Sequence, residues 1–251
     1  MSQISAIMST YCRNRPGRNC SNSLRRALDS VLAQTFQDWE LVLIDDGSGD
    51  GSEQVCCEYA EKDKRVRCVR FEENSGLPAK RYNDGMKMAT SPYFMYMFDD
   101  DFWYPHAMKC LLDERDKSYS KCGMVYGLTD IFDVPTGRMC RNFGGNFDMN
   151  ILQNKGNLLG NLSVMVLRTT INVVGGYDES PLFRRLCDWD LWIRIGLKFP
   201  VGRVNRAVGC ATCMHIDSVG KTVSLSKEGL AEIKKVQKLP RGKIRLQDEL
   251  G

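Results

Sequence analysis

The chain has 251 residues, 43% of them hydrophobic and 26% charged, with a formal net charge of +4. That length can bury one sizeable core, and the composition excludes a disordered or fibrous chain. A transmembrane segment and a nucleic-acid partner are not expected either, because no apolar stretch is long enough and no Lys- or Arg-rich block marks a groove.

In chain order, residues 4–9 form a predicted buried strand that leads into Thr10 and Tyr11. Leu24, Leu28, Val31 and Leu32 recur at i, i+4, i+7 and i+8, which makes one apolar helix face. Ser21, Asn22 and Ser23 offer that helix an N-cap. Residues 40–44 are a second strand, closed by Asp45-Asp46-Gly47-Ser48. A third strand is predicted over 66–71 and a helix over 79–89. The fourth strand, 93–98, runs directly into Asp99-Asp100-Asp101. This alternation predicts an α/β fold with a mostly parallel central sheet and helices on both faces. Ligands of such sheets bind beyond the carboxyl ends of the strands, and both acidic clusters fall there.

Beyond residue 120 the pattern loosens. Residues 124–132 are a strand candidate, 137–160 are rich in Gly and Asn, and 161–167 form a further predicted strand. Residues 174–179 read as a turn, 187–197 as a helix, and the tail beyond Ser226 as a polar helix. The expected organisation is one domain with a first half (1–120), a second half (121–226) and a helical tail (227–251). The 11 cysteines, an odd count that includes adjacent Cys56 and Cys57, do not form a secreted disulfide framework. Cys210 and Cys213 have metal-ligand spacing and His215 is close by, yet no second pair completes a four-ligand zinc site. The opening MSQISAIMSTY lacks a signal-peptide pattern, so a cytoplasmic location is expected, with peripheral membrane contact if the acceptor is lipid-linked.

The chemistry lies in the carboxylates. Three adjacent aspartates repel one another, so at a strand end they call for a compensating cation. Hard divalent ions such as Mg²⁺ or Mn²⁺ take one or two carboxylates plus substrate phosphates. A nucleoside diphosphate would supply those phosphates, and the ion would stabilise charge on the leaving group. A solvated turn accounts for either cluster taken singly; their shared position at strand ends favours the binding reading. Trp189 and Asn161 are candidates to face an acceptor sugar, whereas Trp192, on helical spacing, reads as core. His106 reads as structural.

The segments IMSTY, SLRRALDSVLAQTFQDWELVLIDDGSGDGS, YMFDDDFWYP and DESPLFRRLCDWDLWIRI resemble the signature segments of the family-two inverting glycosyltransferases with the GT-A fold. The resemblance is strongest before Pro105, and the phrase DESP is most similar to the spore-coat polysaccharide branch of that family. It implies a Rossmann-like nucleotide-binding half and an acceptor-binding half. The donor would be a nucleoside-diphosphate sugar, UDP- or dTDP-linked, and the acceptor a glycan or a lipid-linked molecule. Thr10 and Tyr11 would flank the base, Asp46 would bind it, Asp99 would face the ribose, and Lys80 and Arg81 would hold the diphosphate. Asp100 would bind Mn²⁺ or Mg²⁺, with Asp101 a second ligand or a bystander and His215 reaching the metal or the phosphates. Asp188 would be the base that inversion requires on the face opposite the leaving group, with Asp190 as runner-up. Two departures stand out: Phe98 opens the acidic motif in place of Asp, and Cys187 replaces the acid that usually precedes the base.

Two other readings share these residues. A catalytically inactive sugar-nucleotide or glycan-binding domain would explain the changes at Phe98 and Cys187. A sugar nucleotidyltransferase would need a Gly-rich phosphate loop where this chain has Thr10-Tyr11-Cys12. A dinucleotide-binding domain would need Gly-x-Gly-x-x-Gly after the first strand, and none is present.

Overall fold

The structure, a computed structural model, describes residues 2–11, 20–117, 121–133, 137–184, 186–213 and 231. Its first four long strands are β1 (Ile4–Thr10), β2 (Trp39–Asp46), β3 (Val66–Phe71) and β4 (Tyr93–Phe98). They lie parallel in the order β3-β2-β1-β4. Parallel strands need crossovers, and α1 (Cys20–Leu32), α2 (Ser52–Lys62) and α3 (Pro78–Met88) supply them.

Strand side chains alternate between faces, so both faces of this sheet must be apolar. Ile4, Ala6, Met8, Leu41 and Leu43 pack beneath α1 and α2, while Ile7, Val42 and Ile44 pack against α3. Helix α3 lies very close to β1. A Cβ added at Gly85 would come within 2.3 Å of Ile7 Cγ2, so glycine is what allows this approach.

The second half extends the sheet with mixed direction. It contains β5 (Phe102–Trp103), α4 (Ala107–Lys117), β6 (Met124–Asp133), β7 (Arg138–Phe143), α5 (Met149–Asn154), β8 (Val164–Leu167), α6 (Arg168–Val174), α7 (Cys187–Gly196) and β9 (Val201–Cys213). β8 runs antiparallel to both β4 and β6, β9 runs parallel to β6, and β5 and β7 pair antiparallel at the margins. The full order is β3-β2-β1-β4-β8-β6-β9-β5, with β7 beside β6.

The structure revises several sequence-based boundaries. β2 runs on through Asp46, so Asp45 and Asp46 belong to the strand and not to the turn after it. Residues 161–163 form a 3₁₀ turn, and only Val164–Leu167 are strand. The Gly- and Asn-rich stretch holds β7 and α5. β9, 13 residues long, was not expected at all. Its residues mix Arg203, Asn205 and Arg206 with small apolar ones, and only some of them reach the core, so no regular alternation announces it. Apart from residue 231, the tail beyond 213 lies outside the described residues.

Candidate active site

Because β1, β2 and β4 run the same way, their carboxyl ends gather Thr10, Asp45, Asp46 and Asp99 at one edge. Thr10 pairs with Asp45 across β1 and β2, and its Oγ1 donates to Asp99 Oδ2 at 2.7 Å. Tyr11 follows, half-buried. Gly47 makes the turn after β2 with φ +75°, and a Cβ there would meet the Asn74 backbone nitrogen at 2.8 Å. Only glycine accepts that combination without strain, which gives the Asp-Asp-Gly-Ser phrase its third residue.

The two aspartates of β2 have separate surroundings. Asp45 is fully buried, and its Oδ1 accepts from the Ser48 backbone N–H at 3.1 Å. Burial pushes its carboxyl above the ordinary range. Asp46 accepts from Arg81 Nε at 2.5 Å, Asn74 Nδ2 at 2.9 Å, Ser75 N at 2.9 Å and Ser75 Oγ at 2.8 Å. The rest of the Arg81 guanidinium is occupied by Asp84 at 2.9 Å and the Glu73 carbonyl at 3.2 Å, and it covers the Phe71 ring at 3.5 Å. With Arg81 only 4% exposed, the expected diphosphate contact is corrected: this arginine fixes Asp46 from within the fold. Lys80, one residue before it, is exposed.

The acidic triplet after β4 is tied down by groups that the sequence reading had not singled out. Arg26 Nη2, from α1, donates to the Asp100 carbonyl at 2.5 Å. The Thr212 hydroxyl donates to the same carbonyl, and the Thr212 N–H donates to Asp101 Oδ1 at 2.8 Å. The end of β9 is therefore joined to the acidic loop. Asp101 is buried, and burial followed by the charge of Asp100 pushes its carboxyl well above the usual range. The three side chains offer only oxygen ligands, the donor type that a hard divalent cation prefers. Among the described residues, no group of three or more His, Cys, Asp or Glu side chains forms a ready metal cage by itself. His215 lies outside the described residues.

Asp188 occupies the first turn of α7. Its Oδ1 accepts from the Trp189 N–H at 2.7 Å and its Oδ2 from Asn157 Nδ2 at 3.1 Å. Asn157, another residue not foreseen, is itself oriented because its Oδ1 accepts from the Leu159 N–H at 3.0 Å. Burial raises the Asp188 carboxyl to about 6, against the lowering effect of these hydrogen bonds. Asp190 is buried and paired with Arg194 at 2.9 Å, whereas Asp188 accepts from a backbone N–H and an amide.

The aromatic core spans the distance between the two acidic regions. The Tyr82 and Tyr177 ring centroids are 5.4 Å apart. Tyr82 feels the charges of Asp99, Asp100 and Asp101, whereas Tyr177 feels that of Asp188. Two acceptor expectations are corrected here. The Trp189 indole is 3% exposed and donates to the Leu152 carbonyl at 2.6 Å, so it has no open face on which a sugar could stack. Asn161 is 4% exposed, with its oxygen accepting from the Tyr177 hydroxyl at 2.8 Å. His106 Nε2 lies 2.8 Å from the Ala207 carbonyl, a structural contact as expected.

A parallel nucleotide-binding half joined to a mixed-direction half, with carboxylates at the strand ends between them, is the arrangement of the GT-A transferase fold. S. aureus TarS residues 1–349 in complex with UDP-GlcNAc superimposes with a TM-score of 0.73 at 17% identity, over 94% of this chain and 66% of that one. The mannosyltransferase PcManGT of Pyrobaculum calidifontis, in complex with GDP-Man and Mn²⁺, gives a TM-score of 0.61 at 16% identity, over 93% and 61%. Residues 5–161 match the model of glycosyl transferase family 2, and the chain belongs to that family. An uncharacterized glycosyltransferase of Rickettsia typhi is 26% identical over 185 residues, 71% of this chain; the match spans 56% of that relative's length. No helix among the described residues is long and apolar enough to cross a membrane.

Proposed function

We propose that this chain transfers a sugar from a nucleoside-diphosphate donor to an acceptor hydroxyl with inversion, and that Asp188 is the base. The carrying observation is the Asp188 carboxyl itself, raised to about 6 by burial and oriented by Asn157 within a family-two GT-A domain. A base tuned close to working pH combines the right protonation state with useful proton affinity. The acceptor proton would pass to Asp188 as the acceptor oxygen attacks the anomeric carbon. The bond to the diphosphate would break on the opposite face.

In this reading Thr10, Tyr11 and Asp99 line the nucleoside site, with Asp46, held by Arg81, as its floor. Lys80, exposed beside Arg81, would hold the diphosphate. Asp100, with Asp101 behind it, would hold Mn²⁺ or Mg²⁺, which supplies positive charge to the departing diphosphate. The Mn²⁺ in the mannosyltransferase complex supports a metal, and the UDP-GlcNAc bound to TarS supports a UDP-linked donor. The acceptor is a glycan or a lipid-linked sugar.

The test is a thermal melt with UDP, dTDP, GDP and CMP, each with and without Mn²⁺. One nucleoside diphosphate should stabilise the protein only with metal, by about 2.7 kcal/mol at a hundredfold excess over its Kd. Asp100→Ala should abolish that response. If no nucleotide shifts the melt of the folded protein, the donor-site reading fails. If binding occurs but no sugar nucleotide turns over with any glycan acceptor, the chain is an inactive binding domain.

A further inference from the structure

On the far side of β2 from the proposed base, a cavity of about 250 Å³ lies between α2 and β3. Cys57, Cys68 and Arg70 line it, with Asp45 among its other walls. Side chains two apart on a strand share a face, so Cys68 and Arg70 both turn toward α2. Adjacent Cys56 and Cys57 project from α2 toward the same place. Cys56 is buried in the core beneath the helix, and Cys57 is exposed. Both Cys56 and Cys57 interact electrostatically with Cys68. Two thiols of α2 therefore face a third on β3, beside a cavity that a solvent-borne reagent can enter.

These contacts are not symmetric. Cys56 holds the Cys68 thiol below its ordinary value, with Cys57 and the Arg70 charge acting in the same direction. Burial and Asp45 oppose them. Cys68 in turn raises Cys56, while burial and the neighbouring Cys68 and Glu61 raise Cys57. The thiolate, which is the nucleophile, is thus concentrated on Cys68.

We propose that Cys68 is a peroxide-reactive thiol that closes a disulfide to α2 through the Cys56-Cys57 pair. The Cys68 thiolate attacks one peroxide oxygen, the O–O bond breaks, and a sulfenic acid forms as water leaves. A thiol of α2 then attacks the Cys68 sulfur, its proton departs with the hydroxyl as a second water, and the S–S bond closes. Two thiols lose two electrons in total, and one peroxide gains them. The link ties α2 to β3 beside Asp45. It involves none of the residues assigned to the transfer reaction.

Mild hydrogen peroxide treatment of the full chain, tryptic digestion without reductant and mass spectrometry test this. The peptide Cys68–Arg70 should appear joined to the α2 peptide, about 2 Da lighter than the two reduced peptides together. Dithiothreitol should release it. Cys68→Ser should abolish the link, as should a Cys56→Ser/Cys57→Ser double variant, in which Cys68 should proceed to sulfinic acid. If the double variant does not fold, the wild-type peptide map decides alone. The proposal is overturned if Cys68 stays reduced while other cysteines oxidise, or if it pairs with a cysteine outside α2.

Discussion

Asp46 and Asp188 are both carboxylates of the proposed site, one from each half of the molecule, and the fold treats them in opposite ways. Asp46 ends a parallel strand, and its two oxygens receive Arg81, Asn74 and two groups of Ser75. Asp188 opens a helix in the irregular half, has a backbone N–H and the Asn157 amide, and among the described residues faces no cation comparable to Arg81. A buried charge with a guanidinium partner is fixed structure. A buried carboxyl without one rises toward neutrality and becomes available for proton transfer. The parallel half thus fixes its carboxylate with a cation, and the second half leaves its carboxyl raised toward neutrality.

The largest effect expected from this contrast is on turnover. Asp188→Asn keeps the shape and removes the base, so kcat should fall by about 10²–10⁴ while metal-dependent nucleotide binding persists. Loss of binding together with turnover would make Asp188 a structural residue. On the other side of the contrast, Arg81→Met should destabilise the fold by about 3–5 kcal/mol, because Asp46 is left buried without its cation. Denaturant melts of the variant measure this, and a change near zero would mean that Asp46 is compensated from elsewhere.

The pH dependence sharpens the comparison. With a folded value of about 6 against an ordinary carboxyl value near 3.8, ionising Asp188 costs the native state stability as pH rises from about 4 through 6. Asp188→Asn should therefore match the wild type below about pH 4 and exceed it above pH 6, by about 3 kcal/mol at most. Turnover of the wild type should show the opposite slope, rising through pH 6 as the base deprotonates. The smallest effect belongs to Asn157. Asn157→Ala removes a hydrogen bond to the ionised carboxylate, which should move that kinetic limb upward by about one unit. An unmoved limb would separate Asn157 from the base.

The parallel half was legible because its signals are local. β4 matched its expected span, residues 93–98, and β1 was equally plain, since buried parallel strands read as nearly continuous apolar runs. The second half was harder. β9 pairs with β6 over much of its length, yet half-exposed positions such as Arg203 and Asn205 interrupt its apolar pattern. α2 was also missed. Its apolar stripe is narrow, with Val55, Cys56 and Tyr59 as its buried hydrophobic residues.

The sequence by itself determined the fold class, the family and the acidic positions, because strand periodicity and the motifs around Asp46, Asp99 to Asp101 and Asp188 are all short-range. Only the tertiary structure decided what each side chain faces. Arg81 looked free for phosphate and is bound to an aspartate 35 positions away. Trp189 looked ready to meet a sugar and is anchored to α5. Thr212, more than a hundred residues beyond Asp101, holds the acidic loop in place. Such pairings depend on which surfaces the packed sheet brings together, and no local pattern encodes the partner of a polar group.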